Sequence, residues 1–474
     1  MKFFNYIFLS IVLSTALIAN NQIEESIVKI FTVSKIPNYA TPWNSSTKRS
    51  HASGAIINGN RILTNAHVVA NETFIEVKRY GDTKRYEASV EFISHQADLA
   101  LLSVDDVSFF EGVKSLQFDG LPTIQQKVVV YGFPRGGNSL SVSTGVVSRI
   151  EHNRYVHSKE IFLSIQIDAA INPGSSGGPA ISDGKIVGVV MQQMPKSQNI
   201  GYLVPVEVIK HFLDDVKDNK YDGFPHLGFT TEMMESKTLR NVHQMEKKIS
   251  GVLLIDMSER SPAFGILKRG DVLLSIDGNK IENDGTVEFR HHQFTSYKYY
   301  FDKKQVGDTI VLGLLRDGKE REVKVMLTHV ADDHLLVNTV AYDVEPKYFI
   351  YGGYVFSPLS RNLLMNSSAT LLDLRELAGK WATDEREEVV ILLKVLASEI
   401  SRGDHNFALW TVDKINSKKY KDFNEFLEII KNFKGEYLVL EDKEGVMIAI
   451  DRREAEEIEK SILERYSIKN SQRL

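Results

Sequence analysis

A serine followed by two glycines closes the run Asn172-Pro173-Gly174-Ser175-Ser176-Gly177-Gly178-Pro179. Glycines at such a turn let backbone N–H groups converge beside a side-chain hydroxyl, the arrangement that a nucleophile and an oxyanion hole require. Two further groups complete the chemistry upstream: His67 in Leu63-Thr64-Asn65-Ala66-His67-Val68-Val69, and Asp98 ahead of the apolar run Leu99-Ala100-Leu101-Leu102. A histidine can take the hydroxyl proton, and a carboxylate can hold the imidazole in the useful tautomer and stabilise its charged form. Ser176 is the preferred nucleophile over Ser175 because it directly precedes the glycine pair, and the N–H groups of Gly174 and Ser176 are the expected oxyanion donors. None of these residues decides anything alone. The chain has 13 histidines, His95 lies only three residues from Asp98, and Gly/Ser turns are usually structural. His95, however, lacks the small-residue setting that Asn65-Ala66 gives His67. The three groups together, in the order His, Asp, Ser, carry the assignment.

The elements that must position them are short and mostly extended. Residues 26–32, 54–57, 74–78, 88–93, 99–104, 127–131, 145–150, 161–167 and 185–192 read as strands separated by turns, which predicts an all-β barrel or sandwich. A helix follows over residues 204–213, where apolar residues recur at helical spacing and Pro205 can sit at the start. Residues 218–225 are polar and contain Gly223 and Pro225, which reads as a linker. Beyond it stand His226-Leu227-Gly228-Phe229, Gly270-Asp271 and Asp277-Gly278, then a hairpin signal at Asp317-Gly318. A further segment begins near Ala331. Its Tyr351-Gly352-Gly353-Tyr354 echoes the earlier glycine loop, so two copies of one small α+β module fit better than one large domain. The chain ends in a helix over about residues 452–466, with Ala455, Ile458, Ile462 and Tyr466 on one side.

Composition narrows the classes. The chain has 474 residues, 43% hydrophobic and 25% charged, which is ordinary globular protein with room for two to four domains. A net charge of -5, with Lys and Arg unclustered, argues against a nucleic-acid partner. With no cysteine there is no disulfide framework, thiolate nucleophile or Cys-ligated metal. No cofactor and no metal are expected. His291-His292 lack supporting carboxylate spacing for a metal site, and they, Tyr297-Lys298-Tyr299-Tyr300 and the acidic run 384–388 read as surface or packing features. Residues 1–19, with Lys2 ahead of an apolar stretch and Ala16 and Ala19 near its end, read as a signal peptide, with retention as a membrane anchor weighed lower. Export without cysteines points to a periplasm.

The order His, Asp, Ser is that of chymotrypsin. The three motifs, with Val130-Tyr131-Gly132-Phe133-Pro134, Thr144-Gly145-Val146-Val147-Ser148-Arg149-Ile150-Glu151, Gln166-Ile167-Asp168-Ala169-Ala170-Ile171 and Phe349-Ile350-Tyr351-Gly352-Gly353, resemble the HtrA/Deg family of trypsin-like serine proteases over nearly the whole mature chain. They are most similar to its two-PDZ plant-type members. The resemblance implies a mainly β fold: a trypsin-like double β-barrel over 20–217, a PDZ domain over 224–330, and a PDZ-like domain with the C-terminal helix over 331–474. It also implies a homotrimer or a multiple of it, and activation by loop rearrangement. Residues 136–138 and 152–160 are the candidate activating loops.

Ser175 stands where the family usually has Asn and trypsin-like zymogens have Asp, so pairing with a new N-terminal amine is not available. Ala170, six residues before the nucleophile, removes the acid expected of a trypsin. With Ile171 and the largely apolar Ile200 and Tyr202 of Asn199-Ile200-Gly201-Tyr202-Leu203 as pocket walls, cleavage is expected after small or medium aliphatic residues. Leu227, Gly228 and Phe229 are the candidate PDZ loop for peptide C-termini. Peptide binding by the second module is left open. The expected activity is ATP-independent endoproteolysis of unfolded or damaged proteins. A PDZ-dependent chaperone or scaffold with weak proteolysis, and a narrow-specificity processing protease, stand as alternatives.

Overall fold

The computed structural model describes residues 23–474 apart from 136, 138, 194–199 and 367–371. The expected signal peptide, Gly136 and Asn138 of one candidate loop, and Asn199 therefore lie outside the described residues. Among those described, no helix is long and apolar enough to cross a membrane.

Twelve strands make two closed six-stranded barrels. The first runs β1 (Ile27–Pro37), β2 (Ser45–Ile57), β3 (Arg61–Thr64), helix α1 (Ala66–Val69), β4 (Glu72–Arg79), β5 (Tyr86–Ser94) and β6 (Leu99–Ser103). Its strands are ordered β1-β2-β3-β6-β5-β4. The second comprises β7 (Lys127–Gly132), β8 (Ser141–Arg154), β9 (Ile161–Ile167), β10 (Pro179–Ser182), β11 (Lys185–Gln193) and β12 (Gly201–Pro205), followed by helix α2 (Val206–Asp215). Strand β6 explains why the sequence after Asp98 is apolar without interruption. Ala100 and Leu102 point into the first barrel's core, while Leu99 and Leu101 join the larger cluster shared with the second barrel. A strand buried on both faces needs no polar alternation. The barrels thus pack through their walls, and the turns that carry His67, Asp98 and Ser176 sit at that seam.

Three strands escaped the sequence reading. β3 and β10 have four residues each and β12 five, too short for a period to register. β2 begins nine residues earlier than expected, because Ser45–Arg49 is an exposed polar extension paired with β1. Pro205 is the N-cap of α2, so the helix begins at Val206.

The segment read as a solvated linker is anchored instead. Tyr221 Oη bonds Ser94 Oγ at 2.6 Å, and Phe224, 3% exposed, stacks on His211 with ring centroids 3.9 Å apart. Two aromatics within a polar run hold the next domain against the barrels. That domain opens with β13 (Phe229–Met233), an edge strand of the sheet it forms with β14 (Val252–Met257), β15 (Val272–Ile276), β16 (Asn279–Lys280), and later β19 (Thr309–Arg316) and β20 (Lys319–Met326). Between them β17 (Thr286–Arg290) and β18 (Gln293–Ser296) form a separate hairpin, followed by a one-turn helix, Tyr299–Asp302.

The last domain has a five-stranded and a three-stranded sheet. Its Gly352-Gly353 pair forms a tight turn between Tyr348–Tyr351 and Tyr354–Pro358, rather than leading into an edge strand as Gly228 does. The glycine echo between the modules is therefore one of composition. The C-terminal helix, Arg452–Arg465, is capped by Asp451 and buries Ala455 and Ile462, while Tyr466 follows as an exposed C-cap.

Candidate active site

His67 lies on the single turn α1, at the end of β3, where Ala66, Val68 and Val69 are buried and the imidazole alone faces out. Asp98 closes the turn before β6 in the left-handed region, at φ 55°. The two meet closely: His67 Nδ1 is 2.8 Å from Asp98 Oδ2 and 3.0 Å from Oδ1, and the His67 amide donates to Oδ1 at 2.9 Å. Asn65 Nδ2 donates to the Asp98 carbonyl at 2.9 Å, fixing the turn itself. The carboxylate side chain is 1% exposed and the imidazole 32%. Burial works against protonation of His67, but the charge and hydrogen bonds of Asp98 outweigh it and leave its pKa above the usual value. Burial likewise works against the Asp98 carboxylate, and the His67 partner holds its pKa below the usual range. Because Asp98 can only accept, it selects the tautomer protonated at Nδ1 and leaves the Nε2 lone pair free to act as a base.

The Gly174–Gly178 turn packs onto the same strands from the second barrel. Ser53 N–H donates to Ser176 O at 2.9 Å, and a Cβ placed on Gly177 (φ 81°) would lie 2.1 Å from Ser53 O and 2.2 Å from Thr64 Oγ1. Only glycine permits that approach. It presses the serine turn against the residues that lead into α1. Ser176 Oγ is 3.5 Å from Met191 O, and among the described residues it forms no hydrogen bond to His67. Loose contacts of this kind tighten when substrate arrives. Among the described residues the N–H groups of Gly174 and Ser176 donate to no protein acceptor, as an oxyanion hole requires. Ser175 is 7% exposed, and its amide is tied to Asn172 O at 2.9 Å.

One supporting residue had no sequence signal. Ser53, fully buried on β2, donates through Oγ to Gly174 O and accepts from Phe133 N–H, both at 2.8 Å. It ties the turn to the strand end at Gly132–Phe133. A serine in a β-run is unremarkable until the turn folds over it.

Of the proposed pocket residues, Ile171 and the start of β12 come together. A Cβ on Gly201 would be 2.2 Å from Ile171 Cδ1, so Ile171 fills the space above that glycine. Ala170 is exposed, with its carbonyl held by Ser143 Oγ at 2.8 Å. Ile200 is half-buried, and Tyr202, 2% exposed, belongs to the second barrel's core.

The candidate PDZ loop lies elsewhere, beside a cleft of about 610 Å³ including its open mouth. Leu227 is buried, Gly228 has φ 59°, and Phe229 opens β13 at the sheet edge. Lys298, Tyr297 and Phe301 line the facing wall, and Glu160 and Phe162 of the peptidase barrel close the end. The Gly228 amide already donates to His226 Nδ1 at 2.9 Å. Burial lowers the His226 pKa to about 3, with Lys298 and His334 adding to it.

The segment from His152 to Glu160, expected as a loop but with its first three residues still paired in β8, reaches both sites. At its start His152 bonds Thr295 Oγ1 at 2.8 Å and Asp302 Oδ2 at 3.0 Å, both in the domain after the barrels. At its tip the His157 ring is 6.1 Å from that of His67. His95, the histidine that competed with His67 in the sequence, bonds His157 instead. Away from these sites, the hairpin turn brings Glu288 within ligand spacing of His291 and His292, which the sequence had not indicated; all three are exposed.

Comparison with known proteins agrees with this architecture. A trypsin-like peptidase domain description matches residues 52–189, and PDZ domain descriptions match 225–327 and 337–473. The chain is 37% identical over 445 residues to "Protease Do-like 4, mitochondrial" of Arabidopsis thaliana, covering 94% of this chain and 84% of that one. With "Protease Do-like 2, chloroplastic" of the same plant it shares 35% over 454 residues, covering 94% and 74%. "Serine protease DegP homolog" of Plasmodium falciparum is 29% identical over 512 residues, covering 86% of this chain and 58% of that one. The fold resembles the solved "HtrA-type protease AlgW with decapeptide" at a TM-score of 0.51 and 21% identity, covering 65% of this chain and 97% of that one.

Proposed function

This chain belongs to the HtrA/Deg, or Do-like, family of serine proteases, and we propose that it degrades unfolded or damaged proteins without ATP by a Ser176–His67–Asp98 mechanism. The observation that carries the reading is the buried Asp98 carboxylate bonded to His67 Nδ1, with the glycine-rich serine turn packed onto the strands that deliver that histidine. His67 Nε2 takes the Ser176 proton as Oγ attacks the scissile carbonyl, and Asp98 stabilises the imidazolium that forms. The developing oxyanion is met by the N–H groups of Gly174 and Ser176, each such donor contributing on the order of 10²–10³ in rate. The imidazolium then protonates the leaving amine, and a water, activated by the same His67, hydrolyses the acyl-enzyme.

The domains run 20–217 for the peptidase, 224–330 for the first PDZ and 331–474 for the second. Ala170, Ile171 and Ile200 give an apolar, uncharged pocket, backed from the core by Tyr202, that favours an aliphatic residue before the scissile bond. Peptide C-termini add to the open edge of β13, where Leu227, Gly228 and Phe229 receive the carboxylate and Lys298 supplies positive charge. The Gly228 amide must leave His226 to do so. The protein works as a homotrimer or a multiple of it, outside the cytosol. The mitochondrial and chloroplastic names of its relatives support a membrane-bounded compartment, and a periplasm is the bacterial counterpart.

Purified protein incubated with unfolded casein and no nucleotide tests this. Wild type is expected to degrade the casein and Ser176→Ala to leave it intact. Equal degradation by both would remove Ser176 from the mechanism.

A further inference from the structure

The turns that carry His67 and Asp98 are also tied together from outside the first barrel. Asp98 sits at the end of an exposed-to-buried turn that starts at His95, whose carbonyl accepts the Asp98 amide at 3.4 Å. α1 is a single turn and ends at Val69, with Asn71 two residues beyond in a left-handed conformation, φ 55°. Within the first barrel the two turns are joined at their inner ends, by Asn65 Nδ2 and the His67 amide on Asp98 and by the pairing of Thr64 with Ala100. A carboxylate from far along the chain joins their outer ends. Asp343, in the segment between the two PDZ domains, accepts the Asn71 amide at Oδ1 and bonds His95 Nε2 through Oδ2 at 2.7 Å. Its own amide donates to Asn71 Oδ1 at 2.9 Å. One residue therefore ties the exit of the His67 turn to the entry of the Asp98 turn.

Its neighbour Tyr342 acts on the other side. The Tyr342 ring stacks on His157 with centroids 3.9 Å apart and planes 21° apart, and Tyr342 Oη donates to the His157 carbonyl at 2.9 Å. His157 is 8% exposed although it lies at the tip of a surface turn, because Tyr342 covers it. His157 Nε2 is 3.0 Å from His95 Nδ1, which closes the circuit Asp343–His95–His157–Tyr342. His157 in turn packs beside the His67 ring, 6.1 Å between centroids.

We propose that Tyr342 and Asp343 are positioning residues for the catalytic pair, acting through His157, His95 and Asn71, so that docking of the inter-PDZ segment sets how well His67 and Asp98 are aligned. This rests on the reading of His67, Asp98 and Ser176 as the triad. Asp343 adopts φ 59°, which an aspartate accepts here because three hydrogen bonds need that geometry. The arrangement touches no substrate atom. A displacement of about 1 Å at a catalytic base costs on the order of 10²-fold in rate, so a partial loss of support is readable in kcat.

The test uses the full-length protein, a fluorogenic peptide with Val before the scissile bond, and the rate at which a fluorophosphonate labels the nucleophile. Tyr342→Ala and Asp343→Ala are expected to lower kcat and the labelling rate about tenfold or more, with KM within twofold of wild type. Tyr342→Phe, which keeps the stacking ring, is expected to retain most of kcat. An unchanged or raised kcat in both alanine variants would overturn the proposal, as would a Phe variant as impaired as the Ala variant. If the alanine variants do not fold, Asp343→Asn keeps an acceptor for the Asn71 amide while removing the charge that faces His95. It should lose kcat severalfold at unchanged KM, and wild-type kcat there would equally overturn the proposal. Ser176→Ala separates the two readings: labelling that persists in it sinks the triad, whereas its loss beside unaffected strap variants sinks only the strap.

Discussion

Ser53→Ala removes one oxygen and should damage both stability and turnover. Ser53 Oγ bridges Gly174 O and Phe133 N–H, each at 2.8 Å, in a fully buried position. Gly174 O lies on a partly exposed turn and can recover a water partner, but the Phe133 amide beside a side chain 3% exposed has little access to one. An orphaned buried group of this kind costs about 1–3 kcal/mol. In a domain of this size each kcal/mol moves Tm by about 2–4 °C, so a fall of roughly 2–12 °C is expected in thermal unfolding. The catalytic effect follows from the same bond. With its carbonyl released, the Gly174 segment is free to turn, and its N–H leaves the oxyanion position for part of the time. Full loss of one donor sets a ceiling of about 10²–10³ in kcat, so a partial loss on the order of 10–10² is expected. The assay is peptide turnover beside thermal unfolding at one pH. A variant with a lowered Tm and kcat within twofold of wild type would refute the link between Ser53 and the oxyanion hole. No change in either would refute the assigned cost of the buried amide.

Three further outcomes follow from charge. His67 must be neutral to act as a base and its pKa lies above the usual value, so the acid limb of kcat/KM should have its midpoint above about 6.5. Asp98→Asn should move that limb down and lower kcat on the order of 10⁴, and an unmoved limb would detach it from His67. In the first PDZ domain Asp271, 1% exposed, is gripped by Arg316 through two bonds of 2.6 Å. Arg316→Met leaves that buried carboxylate with the Lys268 amide as its remaining partner, at a cost of up to about 3–5 kcal/mol, which should open the β14–β15–β19 amides to hydrogen exchange; protection equal to wild type would contradict this.

What the sequence made legible was chemistry carried on short, local motifs. Asn65-Ala66-His67, the apolar run after Asp98 and the Gly174–Gly178 turn each encode a constraint met within a few residues: a buried cap, a doubly buried strand, a backbone approach only glycine allows. The partners that tune them escaped because they lie far apart in the chain and carry no distinctive type. Asp343 meets His95 across 248 positions, and Ser53 meets Gly174 across 121. The polar composition of residues 218–225 concealed Tyr221 and Phe224, since two aromatics do not raise the average of a run that six other residues set. Conversely, the glycine pair at 352–353 echoed the loop at Gly228 in sequence and supplied a hairpin turn, because φ above zero serves either purpose.

The left-handed backbone at Asp98 gives distant support something to act on. Asp98 and Asp343 both adopt left-handed backbone conformations and both bond His95, the first at its carbonyl and the second at Nε2. Such a conformation costs an aspartate on the order of 1 kcal/mol or more and persists only where surrounding bonds fix it. Asp98 is fixed by Asn65, by the His67 amide and by the His95 carbonyl, all within the first barrel. Those bonds, with the Ser94–Leu99 pairing of β5 and β6 that closes the turn, set its direction. The far side of His95 is left to Asp343, which bonds its Nε2, while His157 at the tip of the 152–160 segment lies between Tyr342 and the His67 imidazole.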